Sequence, residues 1–233
     1  MKLVALVLFQ VACLTSLAHA DESSEKAKEF WDWFELRGDR MAELFSYETG
    51  AKAQDDPKLQ KKIEDGVGFV GDKMREVNPM FSPFFGFANG ENTLTVTVHG
   101  DAEYFDDVDR FIAAAPKIKS WNFVALKQPR KMAPEMEIQT GSFKLKVGDW
   151  NYSKVKTKSG AFDFTIFVPN KVSDDQEGFD RLFVQVLTDT LGERLGNTVI
   201  GKVRTVQSPK ELPEGLLPFT DIGADIQKAT ESG

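Results

Sequence analysis

The chain has 233 residues, 41% of them apolar and 28% charged, with a formal net charge of −7 and one Cys. That length is enough to bury a real core in one domain or two small ones. The acidic balance argues against nucleic acid and anionic membrane as partners, because both reward clustered Lys and Arg.

The first 20 residues read as a cleavable export signal. Lys2 is a short positive start, Leu3-Val4-Ala5-Leu6-Val7-Leu8-Phe9 is an apolar run, and Ala18-His19-Ala20 places small residues where a signal peptidase reads them, so cleavage is expected after Ala20. The run is shorter than the roughly 20 apolar residues that a membrane-spanning helix needs. No later run is long and apolar enough to span a bilayer. The mature product is expected in the periplasm or secreted to the outside, with a lipid anchor on Cys13 as the rival, since Gln10-Val11-Ala12-Cys13 is an imperfect acylation box. Cleavage removes Lys2, His19 and Cys13, which takes the formal charge from −7 to −8 and leaves His99 as the one imidazole.

That census removes chemistries. The mature chain has no thiol nucleophile, no Cys-type or multi-His zinc site and no disulfide framework. It has no Gly-x-Ser-x-Gly elbow to support a triad built on His99, no dinucleotide fingerprint and no phosphate loop. No cofactor and no metal is expected.

Residues 21–233 are expected to form a single α+β domain. In chain order, residues 21–79 read as a helical hairpin. Phe30, Phe34, Arg37, Met41, Leu44 and Phe45 share one helical face up to about Tyr47, and a polar loop covers Gly50 to Asp56. Asp56-Pro57 opens a second helix, whose Leu59, Ile63, Val67, Val70, Met74 and Val77 form a narrow apolar seam. Asn78-Pro79 stops it.

Residues 80–130 read as a ββαβ unit. Phe81 to Phe87 is one strand, Asn89-Gly90 a turn, and Leu94 to Val98 an alternating strand. Asp101 caps a helix buried through Phe105, Val108, Phe111 and Ile112, and Trp121 to Leu126 is the closing strand. The basic stretch of Lys117, Lys119, Lys127, Arg130 and Lys131 reads as a solvated sheet edge.

Residues 137–208 read as a second ββαβ unit. Phe143 to Val147 and Tyr152 to Thr157 make either one bent strand or a hairpin, and Ala161 to Val168 is a strong strand. An acidic helix led in by Asp174-Asp175 carries Phe179, Leu182, Phe183, Val186 and Leu191, and Thr198 to Val206 is the matching strand. Residues 209–233, with Pro209, Pro213, Gly215 and Pro218, read as a mobile tail. The expected architecture is thus a helical hairpin packed on a mixed sheet formed by two ββαβ-like units.

Several of these blocks occur together in a known order. Phe30-Trp31-Asp32-Trp33-Phe34 comes first. Ala113-Ala114-Ala115-Pro116 runs into Trp121-Asn122-Phe123 and Pro129-Arg130. Leu187-x-x-x-Leu191-Gly192-Glu193 leads to Ile200-Gly201, and Leu217-Pro218-Phe219-Thr220-Asp221 comes last. In this the chain resembles a family of uncharacterised bacterial proteins. The resemblance implies a bacterial origin and one α+β unit, and it carries over no catalytic residue. Where family members often continue the aromatic block with an acidic stretch, this chain has Glu35-Leu36-Arg37-Gly38-Asp39-Arg40.

Two places are candidate sites. Trp31 and Trp33 sit in a block whose rings point to more than one side of a helix, so one of them can anchor a protein partner or a sugar ring if the core does not bury both. His99, Asp101 and Glu103 place the imidazole beside two carboxylates, as a proton-transfer or metal site or simply as a capped turn. Arg37-Gly38-Asp39 spells an adhesion tripeptide inside a helical pattern, where Gly38 more naturally kinks the helix. Asn151-Tyr152-Ser153 is a glycosylation sequon that matters only in a eukaryotic host. The function expected on balance is a non-catalytic binding or protein-interaction domain. The alternative is a carboxylate-based hydrolase, which needs two acids about 5–10 Å apart.

Overall fold

The computed structural model describes residues 22–88, 90–140, 143–169 and 174–231. The export segment, Cys13 and the cleavage position after Ala20 lie outside the described residues, as does Asn89 of the predicted turn. The chain has the expected α+β class, and it divides into two compact units, one ending at Leu126 and the other starting at Lys127.

The described residues of the first unit open with four helices, α1 (22–35), α2 (Gly38–Leu44), α3 (Tyr47–Ala53) and α4 (Pro57–Val77). The sequence places one continuous helix across the first two of these. The break after α1 falls at residues 36–37, just before Gly38. A Cβ at Gly38 would sit 2.9 Å from Ile118 Cγ2, and the Gly38 carbonyl accepts a hydrogen bond from Trp121 Nε1 at 2.9 Å. With no Cβ, Gly38 lets the start of α2 lie close against Ile118 and Trp121.

The expected loop around Gly50 is helix α3, capped by Ser46, whose hydroxyl accepts from Thr49 N. For α4, Asp56 is the N-cap and accepts from Lys58 and Leu59 N, Pro57 follows at the first turn, and Asn78 is the C-cap.

Strands β1 (Ser82–Ala88) and β2 (Glu91–Thr97) pair antiparallel. Asp101 caps the short turn of 3-10 helix Ala102–Tyr104 that leads into α5 (Phe105–Ala113), and β3 (Trp121–Ala125) then pairs parallel to β2. The sheet order is β1-β2-β3. Phe30, Trp31, Phe34, Met74, Leu94, Val96, Phe111 and Trp121 belong to one buried cluster.

The second unit repeats this connectivity. Strands β6 (Asn151–Lys156) and β7 (Phe162–Val168) are antiparallel, helices α6 (Gln176–Leu191) and α7 (Glu193–Val199) follow, and β8 (Ile200–Gln207) pairs parallel to β7. Each ββαβ unit forms its own sheet, and the second is four-stranded in the order β8-β7-β6-β9, with β9 at Leu217–Pro218.

The open choice over residues 143–157 resolves into neither alternative. Strand β5 (Phe143–Lys146) pairs with β4 (Glu137–Thr140), a strand the sequence reading missed, and a 3-10 turn separates it from β6. Helix α6 stops at Leu191 because Gly192 adopts φ +79°, and Thr198 and Val199, expected in a strand, end α7.

The largest departure is the tail. After strand β9 (Leu217–Pro218), helix α8 (Ile222–Glu231) packs Ile222 and Ile226 into the core with Phe219. Proline and glycine spacing suggested mobility, whereas the apolar stripe that follows them docks and orders the segment. Among the described residues no helix is long and apolar enough to cross a membrane.

Candidate functional site

The aromatic block separates into two roles. Trp31 is 2% exposed, its Nε1 donates to the Phe111 carbonyl at 2.9 Å, and its ring stacks on Phe111 with centroids 4.8 Å apart. It is a core residue with its polar atom already used, so it offers nothing to a partner. Trp33, two residues on, is half-buried. It meets Phe69 of α4 edge-on at 5.4 Å, and the Arg37 guanidinium lies over its ring at 5.3 Å.

Trp33 borders Lys26, Glu29, Lys73 and Glu76 on one side and Phe69 on the other. Leu36, thrown outward by the turn after α1, is 83% exposed, and Phe69 is 49% exposed. Between α2 and α4 is a pocket of about 200 Å³ lined by Met41, Leu44, Phe45, Gly66, Phe69 and Val70, with Arg37 and Arg40 at its rim. Leu44 and Phe45 also line a second, more open groove of about 310 Å³, which continues to Tyr47, Gly86 and Phe87. In that groove Phe45 stacks flat on Phe85 with centroids 3.8 Å apart. Tyr47 and Phe87 are 69% and 47% exposed. The two grooves thus adjoin at Leu44 and Phe45, with Phe69 exposed at the first, Tyr47 and Phe87 exposed at the second, and two arginines lining the first.

Of these residues the sequence reading flagged Trp33 alone as a site. Phe69 carried a legible signal, since it is a large apolar residue off the α4 seam.

The second candidate group does not assemble. His99 has φ +56° and is exposed, its Nε2 is 3.0 Å from Ser82 Oγ, and its N–H donates to Thr97 Oγ1. Asp101 accepts from Glu103 N, and both acids are exposed. The three form a capped turn, and no group of acids and imidazoles suited to a metal occurs among the described residues. The adhesion tripeptide falls at the start of α2 with Gly38 buried, so it is not an exposed loop.

Two further places bring charged groups together, one in each unit. A cavity of about 630 Å³ opens among Ser24, Ala27, Val77, Asn78, Phe81 and Phe111. Its carboxylate, Asp107, accepts from Asn78 Nδ2 at 3.0 Å and pairs with Arg110, so the polar groups there satisfy one another.

In the second unit, Asp225 of α8 receives the Tyr152 hydroxyl at 2.5 Å and the Lys154 ammonium. Burial pushes the Tyr152 hydroxyl above the usual tyrosine range, and donation to Asp225 and the charges of Asp225 and Asp221 add to the rise. Burial also works to raise the Asp225 carboxyl. Hydrogen bonds from Lys154 and Tyr152, with the charges of Lys154 and Lys228, outweigh it and hold the group below the usual carboxylate value. This trio latches α8 to β6 with its charges balanced.

Comparison of the chain with protein-family models and with curated proteins finds no match.

Proposed function

We propose that the protein is an exported, non-catalytic binding domain that engages a protein partner through the α1–α2–α4 face and the adjoining α3–β1 groove. The observation that carries this reading is the pair of grooves that share Leu44 and Phe45 and leave Phe69, Tyr47 and Phe87 exposed along them, with Leu36 exposed on the turn just before Arg37. Patches of this kind mark interaction sites, since an ordinary soluble surface scatters its apolar residues singly. Export rests on the 1–20 segment, with release after Ala20. The hydrolase reading has less support. Asp101 and Glu103 serve a turn, and Asp225 is held charged, the opposite of what a general acid needs.

The test is capture from the native periplasm or medium with the mature chain, beside a Leu36→Asp/Phe69→Asp double variant. Leu36 is exposed and Phe69 half so, and an unchanged circular dichroism spectrum checks that the variant keeps the fold. A protein bound by the wild type and lost from the double variant supports the reading. A partner held equally by both, a saccharide in place of a protein, or no partner at all overturns it.

A further inference from the structure

We infer that the partner presents an acidic segment, with one bulky apolar side chain seated in the α2–α4 pocket and a flanking carboxylate bound by Arg37 and Arg40. This rests on the interaction reading of that face. Three observations point to the chemistry.

The pocket comes first. At about 200 Å³ it is smaller than the roughly 300–1,000 Å³ usual for small-molecule sites. It is nevertheless large enough for a single leucine or phenylalanine side chain, and Met41, Leu44, Phe45 and Val70 give it an apolar wall. A lone apolar anchor in a pocket is how protein partners concentrate their binding energy.

Charge comes second. The chain carries a net charge of −7, so an acidic partner is repelled by most of it. Arg37 and Arg40 put positive charge at this pocket. Both are exposed, and no ion pair among the described residues uses either one, although Asp39 and Glu43 lie in the same helix as Arg40. Arg75, Arg110 and Arg181, by contrast, are each spent on an acid three or four residues away.

Preorganisation comes third. Arg37 is held over the Trp33 ring and donates to the Trp33 carbonyl at 3.3 Å, which leaves the rest of its planar fork of donors open. A guanidinium fixed before binding loses less freedom when a carboxylate arrives.

The experiment uses the mature full chain and a short fluorescent peptide with one leucine flanked by aspartates and glutamates. Controls replace the acids with lysines or the leucine with alanine. The acidic leucine peptide is expected to bind about tenfold or more tighter than either control, and more weakly at high salt. Arg37→Ala/Arg40→Ala is expected to lose about tenfold, with an unchanged circular dichroism spectrum. Gly66→Ala gives an independent check. Its Cβ would lie 2.7 Å from Leu44 Cδ2, so the Leu44 side chain must shift in the pocket, and peptide binding should fall with both arginines intact.

Equal binding of acidic and basic peptides, or wild-type affinity in the double arginine variant, overturns the inference. So does no acidic-peptide binding at about millimolar concentration. If the native partner is still lost from Leu36→Asp/Phe69→Asp in that event, the face stands and only its acidic ligand falls. If that partner also binds both forms alike, the face falls with it.

Discussion

Glu193 and Lys127 exchange two backbone-anchored hydrogen bonds. The Glu193 N–H donates to the Lys127 carbonyl at 2.8 Å, and Glu193 Oε2 accepts the Lys127 N–H at 3.1 Å. The Glu193 residue is 1% exposed. Its neighbour Gly192 sits at φ +79°, where a Cβ would lie 2.8 Å from Pro129 Cδ and 2.9 Å from Pro129 N. Two separated sequence blocks, one around Pro129-Arg130 and one around Leu191-Gly192-Glu193, thus specify a single joint.

Glu193→Ala removes the acceptor of the partly buried Lys127 N–H, and we expect it to cost about 1 kcal/mol in urea denaturation of the second unit. Gly192→Ala combines left-handed backbone with a clash against backbone atoms, and about 1–3 kcal/mol is expected from the backbone term alone. Wild-type midpoints in both variants would show that the joint is not structural.

The Tyr152–Asp225 pair gives a pH signature. Asp225 is depressed in the folded state, so its contribution is fully present above the ordinary value of 3.8 and is lost as pH falls through the lower folded value. The stability gap between wild type and Asp225→Asn should therefore shrink below that pH. A gap that stays constant down to acid unfolding would exclude the linkage.

Tyr152 runs the other way. Its hydroxyl is raised, so its contribution holds below the ordinary value of 10.0 and fades as pH rises above it. In an alkaline absorbance titration, the phenolate signal of Tyr152 should appear only with unfolding. The signal missing before unfolding should be absent altogether in Tyr152→Phe.

Helix boundaries were legible where capping chemistry wrote them. Asp56, Asn78, Asp101 and Asp175 all sit where the sequence placed them, because a side chain that satisfies an end N–H or a residue before proline acts locally. One miss was local, helix α3 with its Ser46 cap, and the others were nonlocal. Strand β4 is a four-residue Glu-Ile-Gln-Thr stretch whose only reason to be a strand is its partner β5. Helix α8 orders because a core exists to receive Ile222 and Ile226. For the site, Trp31 and Trp33 look alike in sequence, and only tertiary packing gives one a carbonyl to bind and leaves the other at the surface.

Glycine in α4 offers a stabilising change. Gly68 lies inside that helix, exposed, and a Cβ there would meet nothing within 4 Å. Gly68→Ala should raise stability by about 0.5–1 kcal/mol, because it removes unfolded-chain freedom at no steric cost. An unchanged or lower denaturation midpoint would mean that this stretch of α4 is not helical in solution.

The two tryptophans of the aromatic block should separate in experiment as they do in space. Trp31→Phe deletes the donor to the buried Phe111 carbonyl and leaves a void among Phe30, Phe34, Phe111 and Phe123. We expect a loss of about 2–4 kcal/mol, from the stranded acceptor and the cavity together, measured by denaturation. Trp33→Leu keeps apolar bulk on Phe30 and Phe69, so its stability cost should be about 1 kcal/mol, while removing the ring beneath Arg37 weakens partner binding. Partner addition should also change the emission of Trp33 and not of Trp31, read in Trp31→Phe and Trp33→Leu backgrounds under conditions where both are folded. If partner-induced emission change survives Trp33→Leu and disappears in Trp31→Phe, the interaction surface lies elsewhere than the Trp33 face.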